Sequence, residues 1–388
     1  MPISMPLYTQ LSEEQKEILE DASFDETLMV TGPPGTGKTV IAMWQSKQMS
    51  DSRSTPISLI MYNRVLRAYT AGWSEWRNST VTVKTYNKWA YDIWKKAGGH
   101  GFPPQETQYD ILWDEMNKRL LQATEGGTAM NFGHVVIDEA QDFPEDFYKS
   151  LALLSSMSQL TVSVVADENQ RLEEQKNSSL QNIQNGLSIA GPVQKYALTR
   201  NYRNTFEIDA LARQFYVGLE TGQAQPPEEW RGDKPVLHGY RSGTNGMVDA
   251  IVRHAKNNPS QSVLVVAPTT RLRKSICNKI KHRLDGHHVA MYAKTGDEEQ
   301  LRTGEPKSIT IVHWKSMKGI ESDAVFVPNL ELFDLGEDST KGEMMRLYVM
   351  CSRARLKLEL QYEASPSNHR LVDLIREKGA GVINERTS

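Results

Sequence analysis

The chain has 388 residues, of which 39% are hydrophobic, and its formal net charge is -3. This length allows about two domains, and no apolar run is long enough to cross a bilayer. The N-terminus lacks a signal-peptide pattern, so we expect a cytoplasmic protein that does not enter a membrane. Cys277 and Cys351 are the only cysteines, too few for a disulfide framework or a zinc site. With this charge balance, any nucleic-acid contact must come from a local basic surface.

Short β-branched runs alternate with helical stretches along the chain. In the first half the runs are TLMVTG, ISLIMY, VTVKT, HVVIDE and QLTVSVVAD, and in the second half they are SVLVVAP, HVAMY, SITIVHW, DAVFVP and LKLEL. Such alternation favours parallel β-α-β units. We therefore predict an α/β fold of two domains, residues 1–195 and 196–388, with a small helical insertion at about 87–133. The segment from Leu219 is predicted to be a long surface loop, and the last dozen residues a frayed tail.

A phosphate-binding loop is predicted directly after the first strand. The stretch GPPGTGKT follows an apolar strand and opens a helical pattern, which is the context that a P-loop requires. Its backbone N–H groups would surround phosphate oxygens, the lysine would reach the outer phosphates and the threonine hydroxyl would bind Mg²⁺. The alternative is a glycine-rich turn that arose by chance. The predicted nucleotide-binding residues are Gly32, Pro33, Pro34, Gly35, Thr36, Gly37, Lys38 and Thr39.

Two later strand ends carry the other groups that phosphate chemistry needs. In VVIDEAQD, we expect Asp138 to hold Mg²⁺ through water and Glu139 to polarise the attacking water. An acidic pair after a strand is a weak signal alone, but it becomes specific behind a P-loop. The next strand ends in VVADENQR, where Gln170 is either a sensor of the γ-phosphate or an ordinary solvated loop residue.

Taken together, these stretches resemble the superfamily 1 helicases. The second half is similar to the UvrD, Rep and PcrA group, because LTRNYRNT resembles its fourth motif, VHWKSMKGIES its fifth and LYVMCSRAR its sixth. The resemblance runs from Leu11 to about Leu360. It implies two RecA-like P-loop NTPase domains, with ATP and Mg²⁺ bound in the cleft between them.

The resemblance also implies roles for residues around the adenosine and the γ-phosphate. Gln15 would read the adenine edge, Tyr202 would stack on the ring, and Glu321, near Gly319 in the fifth motif, would hold the ribose. Arg203 would contact the γ-phosphate.

Arg353 would be the arginine finger that neutralises charge as the phosphate leaves. The alternative for Arg203 and Arg353 is an ordinary salt bridge between domains. Arg355, two positions further on, is expected to meet a carboxylate or solvent.

Family members carry a nucleic-acid strand across both domains, held by phosphate contacts and base stacking. The residues that resemble this track are Asn63, Arg64, Thr85, Tyr86, His313, Trp314 and Lys315. A window of the first domain also holds four tryptophans, Trp73, Trp76, Trp89 and Trp94. These side chains either stack on bases or, as aromatic residues do more often, pack a small helical subdomain.

Two functions remain open. The first is an ATP-dependent motor, a DNA helicase or single-strand translocase that resembles its family in moving 3′ to 5′, acting on single-stranded or tailed duplex DNA, with RNA left open. The second is an ATPase switch that nucleic acid stimulates and that regulates a protein partner without unwinding. The second is favoured by the short spacings, which leave no room for large accessory domains, and by QRLEEQKN, which lacks the stacking aromatic residues of relatives.

Overall fold

The computed structural model describes residues 6–62, 64–76, 79–107, 110–128, 131–158, 160–171, 177–333, 340–364 and 369–388. They form two parallel sheets flanked by helices, as the alternation of runs predicts. Within these ranges no helix is both long and apolar enough to cross a membrane.

The first sheet has six strands in the order β3-β2-β4-β5-β1-β6. Its strands are β1 (Thr27–Thr31), β2 (Ile57–Met61), β3 (Val81–Thr85), β4 (His134–Ile137), β5 (Thr161–Ala166) and β6 (Val193–Ala197). Its helices are α1 (Glu13–Asp21), α2 (Lys38–Ser52), α3 (Arg64–Ala71), α4 (Tyr86–Lys96), α5 (Trp113–Glu125), α6 (Glu145–Met157) and α7 (Leu180–Ser188). Strands β2 and β4 are buried along their whole length, which is why they read as continuous apolar runs.

The second sheet has seven strands in the order β13-β7-β12-β11-β8-β10-β9. Its strands are β7 (Val236–Tyr240), β8 (Val263–Val266), β9 (His288–Met291), β10 (Ser308–Val312), β11 (Ser322–Val327), β12 (Ala354–Glu363) and β13 (Asn384–Thr387). Its helices are α8 (Phe206–Arg213), α9 (Thr244–Asn257), α10 (Thr270–Lys281), α11 (Thr340–Cys351) and α12 (Arg370–Lys378).

All ten predicted runs form strands, but three polar or short strands escaped prediction. The predicted frayed tail is wrong: α12 and β13 occupy it, and β13 pairs with β7 from Asn384 to Thr387. Every residue of β13 is exposed, so hydrogen bonds to the neighbouring strand, and not an apolar pattern, define it. The predicted boundary at residue 195 falls inside β6, which belongs to the first sheet as far as Ala197.

The two halves contact each other directly. Val65 of α3, a helix of the first half, belongs to the buried cluster formed by the second sheet. Gly319 lies against the same helix, because a Cβ placed on Gly319 would sit 2.7 Å from a methyl carbon of Leu66. The carboxyl ends of β1, β4 and β5 therefore face loops from the second half.

Candidate active site

The P-loop is packed against two other segments. Gly35 and Gly37 have φ angles of 82° and 94°, a region that side chains with a Cβ seldom adopt. A Cβ at Gly35 would lie 2.2 Å from Oδ1 of Asn201, and one at Gly37 would lie 2.2 Å from Nε2 of Gln15. Both positions therefore require glycine for backbone conformation, and Gly35 requires it for space as well, since Cβ of Arg203 would lie 3.1 Å away.

Lys38 is the first residue of α2 and is buried inside the loop. Its Nζ donates to the carbonyls of Gly32 at 2.6 Å and Pro33 at 3.0 Å and lies 3.6 Å from Asp167. Burial lowers the pKa of Lys38, and the carboxylates of Asp167 and Glu139 partly oppose that effect. The ammonium group thus sits at the helix N-terminus, where backbone N–H groups also favour an anion.

The rest of the loop is held from within and from the neighbouring strand. Thr36 donates its hydroxyl to the carbonyl of Pro33 at 2.9 Å, and the amide of Gly32 donates to Ala166 of β5 at 3.2 Å. Pro34 lines a water-sized cavity together with Asn201.

Thr39 and Asp138 present a pair of oxygen ligands next to the loop. The Thr39 hydroxyl donates to Oδ2 of Asp138 at 2.8 Å, and Asp138 is fully buried at the end of β4. Burial, with the neighbouring carboxylate of Glu139, raises the pKa of Asp138 to about 7. A hydroxyl and a carboxylate are ligands that Mg²⁺ accepts, so these residues fit the predicted metal.

Glu139 is a buried carboxylate in a strained backbone conformation. Its φ of 55° is left-handed although it is not glycine, which costs on the order of 1–3 kcal/mol and is typical of functional sites. Oε2 accepts from Nε2 of Gln141 at 2.6 Å and lies 3.6 Å from Nζ of Lys318. Burial alone would raise the pKa of Glu139, but Lys318, Lys38 and Arg353 hold it below its ordinary value. Glu139 is therefore the ionised member of the acidic pair.

Gln170 connects the two halves. The side chain is 2% exposed, so it is not a solvated loop residue. Its Nε2 donates to Oδ2 of Asp167 at 2.6 Å, and its Oε1 accepts from the guanidinium of Arg353.

Arg353 is buried without a carboxylate partner. It is 1% exposed and donates to the carbonyl of Val349, to Ser352 and to Gln170. No acidic group among the described residues forms an ion pair with it, so the alternative of an ordinary salt bridge does not describe this arginine. Burial and the positive charge of Arg203 lower the pKa of Arg353 to about 10. A buried guanidinium that has no ion-pair partner favours the binding of an anion.

Arg203 and Arg355 differ from Arg353 in having acidic partners. Arg203 donates Nε to Glu321, so in this arrangement the residue expected to hold the ribose holds an arginine. Arg355 is 45% exposed and lies 3.7 Å from Asp323, as expected for a residue that meets a carboxylate and solvent.

The two residues expected to bind adenine lie at the P-loop. Gln15 closes the capping box of α1, and its Nε2 donates to the carbonyl of Thr36 at 3.0 Å. Tyr202 donates its backbone N–H to Gly35 at 2.8 Å while its side chain stays 42% exposed. An exposed ring beside the phosphate loop is available for stacking.

Lys318 is a site residue to which sequence reasoning gave no contact. It is fully buried, and its Nζ lies 2.6 Å from Oδ2 of Asp142 and 2.5 Å from the carbonyl of Gln170. Burial raises the pKa of Asp142 to about 7, although Lys318 opposes this. A buried apolar neighbourhood around a lysine, as in SMKGI, is the signal that could have indicated a carboxylate partner.

Asn204 is a second residue that sequence reasoning missed. Its Nδ2 donates to the carbonyl of Ser352 at 3.2 Å and to that of Ala354 at 2.5 Å, the residues on either side of Arg353. Its Oδ1 accepts from Nδ2 of Asn201 at 3.0 Å. Asn201 contacts the P-loop, and Asn204 connects Asn201 to the backbone on either side of Arg353. No local sequence pattern predicts this connection.

The residues predicted to bind nucleic acid are less well placed for binding than the residues predicted to bind phosphate. Trp314 is 5% exposed and packs in the core of the second half. Tyr86 accepts a hydrogen bond from Nε1 of Trp113 at 2.6 Å and packs against Phe143 and Phe147. The expectation that these two rings lie on the strand track is therefore corrected: both are engaged in packing.

The other predicted contacts are polar and nearer the surface. Arg64 is exposed at the start of α3, and Thr85 caps α4 by accepting from the amide of Lys88. His313 accepts from the amide of Lys315 at 3.2 Å, and burial followed by the charge of Arg273 lowers its pKa to about 4, so it is neutral. Asn63 lies outside the described residues.

The four tryptophans in the window from Trp73 to Trp94 mainly pack. Trp73 and Trp89 are 8% and 2% exposed. Trp76 donates to the carbonyl of Thr70 and Trp94 to that of His100. The packing interpretation is the right one for this group.

Comparisons with known proteins agree with this geometry. Residues 15–175 match the family described as an AAA domain, which occurs in UvrD- and Rep-like superfamily 1 helicases. No curated protein matches the chain.

Solved structures add the fold of the whole chain. Dbp5 of S. cerevisiae bound to RNA and ADP BeF3 is similar over 98% of this chain and 90% of its own, with a TM-score of 0.56 and 12% identity. The C-terminal domain of a possible DNA helicase from Lactobacillus plantarum WCFS1 covers 47% of this chain and 97% of its own, at 20% identity and a TM-score of 0.33. The chain thus has an α/β fold of two RecA-like domains, and residues 15–175 in its first half match an AAA domain.

Proposed function

We propose that this protein hydrolyses ATP between its two halves and uses the turnover to move along single-stranded DNA, with the 3′ to 5′ direction that its family resemblance implies. The observation that carries this proposal is Arg353. A guanidinium that is 1% exposed, forms no ion pair with a described carboxylate and is bonded across the cleft to Gln170 suits a γ-phosphate that arrives and leaves with each cycle.

The residues divide the work of hydrolysis. Lys38 neutralises the outer phosphates from the start of α2, and Tyr202 covers the adenine from outside the loop. Glu139, held ionised by the nearby cations, orients the attacking water and takes its proton. Arg353 and Arg203 then stabilise the charge that develops on the γ-phosphate.

Thr39 and Asp138 would hold the magnesium ion. A magnesium ion held by these two oxygens would supply positive charge that offsets the negative charge of the phosphates during transfer. Lys38, Thr39 and Glu139 belong to the first half and Arg203 and Arg353 to the second, so a change in the angle between the halves would bring these groups together or separate them.

The second candidate, a nucleotide-gated switch that acts on a protein partner, is favoured by a different observation. Trp314 is buried, and the half-buried ring of Tyr86 packs against Phe143 and Phe147, so both rings are engaged in packing and are poorly placed to step along bases. Such a protein would bind nucleic acid, change shape on turnover and unwind nothing.

One experiment separates the two. ATP turnover is measured alone, with single-stranded DNA and with single-stranded RNA, and strand displacement is measured on duplexes with a 3′ or a 5′ tail. Glu139→Gln serves as the inactive control. Displacement that requires a 3′ tail supports the motor; stimulation by single strands without displacement or movement supports the switch. Turnover that neither nucleic acid changes contradicts both.

A further inference from the structure

A surface of the helical insertion combines aromatic rings with lysines. We call it the aromatic–lysine face and define it by Lys84, Lys88, Tyr91, Lys95 and Phe102. Phe102 is 78% exposed, and its ring centroid lies 5.9 Å from that of Tyr91. The ammonium groups of Lys88 and Lys95 lie 5.0 Å and 5.6 Å from the centroid of the Tyr91 ring. The face follows the outer side of α4 and the loop after it.

The exposure of Phe102 does not come from a loose loop. The amide of Gly99 donates to the carbonyl of Trp94 at 2.9 Å, and the Trp94 indole donates to His100 at 3.1 Å. A Cβ at Gly99 would lie 2.2 Å from the indole, so the loop lies directly on that ring. Beyond Phe102, the amide of Leu112 donates to Pro104 at 2.9 Å. The loop therefore holds Phe102 in water beside Tyr91, and adjacent rings that form a patch at the surface, unlike a single apolar side chain, indicate a binding surface.

The charge of the face is positive although the chain as a whole is acidic. Asp92 accepts from Lys84 at 2.9 Å and from Lys88 at 2.6 Å. Lys95 forms no ion pair with a described residue. Three lysines against one carboxylate leave a local excess of positive charge on a chain of net charge -3, which attracts a polyanion to this place.

We propose that the aromatic–lysine face is a binding site for single-stranded nucleic acid, with unpaired bases stacking on Phe102 and Tyr91 and phosphates meeting Lys88 and Lys95. Rings and cations in alternation are what a single strand requires, since every base offers a π-face and every linkage a charge. A duplex stacks its bases internally and would use only the lysines.

The position of the face agrees with this occupant. Helix α4 begins at the carboxyl end of β3, capped by Thr85, which is itself a predicted strand contact. The face therefore begins beside a predicted strand contact, and Phe102 gives it the exposed ring that neither Tyr86 nor Trp314 provides. This inference rests on the proposed function, because it assumes a protein that binds single strands.

The test uses the full chain and a fluorescently labelled oligothymidine, with anisotropy read at low and moderate salt. Phe102→Ala should weaken binding about tenfold, the scale of one lost base contact, and Phe102→Trp should retain the parent affinity. The double variant Lys88→Ala and Lys95→Ala should weaken binding. Its affinity should also fall less steeply with salt, because binding would release about two fewer counterions. Turnover without nucleic acid should be unchanged in all of them.

The matched control is Ile189→Ala, which removes another exposed apolar side chain, 67% accessible, far from the insertion along the chain. Phe102→Ala and Tyr91→Ala variants that melt like the parent yet bind within about twofold of it would overturn the inference and leave the face to a protein partner. If Phe102→Ala weakened the binding of a blunt duplex as much as that of a single strand, the proposed stacking of bases on this ring would be wrong. A parent that binds no single strand at all would overturn the proposed motor as well, so the two failures are distinguishable.

Discussion

The nucleotide side and the predicted strand side of this molecule differ in whether their charged side chains are buried or exposed. On the nucleotide side, charged and polar side chains are buried and hydrogen-bonded to one another, as in the contact of Lys318 with Asp142 and of Arg353 with the amide of Gln170. On the strand side, Trp314 is buried and Tyr86 is half-buried in an aromatic cluster, and exposed lysines and Phe102 remain. Phosphate chemistry thus depends on a few fixed groups in a low-dielectric site, whereas strand binding depends on what a surface leaves exposed.

Arg353→Ala should give the largest effect if the nucleotide side works through a finger. An arginine of this kind contributes about 10³ to 10⁵ in rate in GTPases, so turnover at saturating ATP should fall severely while ATP affinity stays near that of the parent. Arg355→Ala is the control two positions away, since its side chain is 45% exposed and pairs with Asp323. Equal losses in both variants at equal thermal stability would show that the finger is misassigned.

Glu139→Gln should follow, with turnover reduced by about 10² to 10⁴, as expected when a general base is removed. ATP should still bind, because the P-loop and Lys38 are untouched, whereas Lys38→Ala should weaken binding as well. Turnover is measured beside nucleotide affinity, with the exposed Glu145→Gln as control. A Glu139→Gln variant as fast as the parent would remove this carboxylate from the mechanism.

Lys318→Met tests whether buried ion pairs hold the two halves together. Removing one partner of a buried pair costs about 3–5 kcal/mol, because the carboxylate of Asp142 would remain buried without its cation. Thermal unfolding should show the loss, and Asp142→Asn added to Lys318→Met should recover part of it. Lys378→Met, at the surface, should change little; a Lys318→Met variant as stable as the parent would mean the contact contributes nothing.

Asn204→Ala should have a smaller effect on turnover, about tenfold, the equivalent of one hydrogen bond of about 1.4 kcal/mol. The reason is that Asn204 binds the carbonyls on both sides of Arg353. A double variant with Arg353→Ala distinguishes positioning from general damage: the second substitution should add little further loss. Full additivity would contradict a role that acts through Arg353.

Tyr86→Phe should give the smallest effect and sharpens the strand side of the comparison. It keeps the ring but removes the hydroxyl that accepts from Trp113, so we expect a loss of stability of about 1–2 kcal/mol and unchanged affinity for single-stranded DNA. Chemical unfolding and anisotropy measure the two quantities. A clear loss of affinity without a loss of stability would return Tyr86 to the strand track.

The groups that act through local backbone geometry were predictable from short stretches of sequence. The P-loop, the acidic end of β4 and all ten apolar strands could be predicted because a phosphate loop needs glycines and a lysine in order, and a buried strand needs an apolar run. The same reasoning missed β6 and β13, since polar strands at or near sheet edges are defined by their neighbours and not by their own pattern.

The partners of the site residues could not be predicted in this way. Gln170 and Arg353 are 183 positions apart, Asp142 and Lys318 are 176 apart, and Asn204 and Ala354 are 150 apart. No local pattern encodes such pairs, because they arise only when two independently formed sheets pack with their loops facing. Exposure is decided in the same manner. Neither Trp314, in HWK, nor Phe102, in GFP, has a bulky apolar neighbour in the sequence, yet packing buries the first and leaves the second in water.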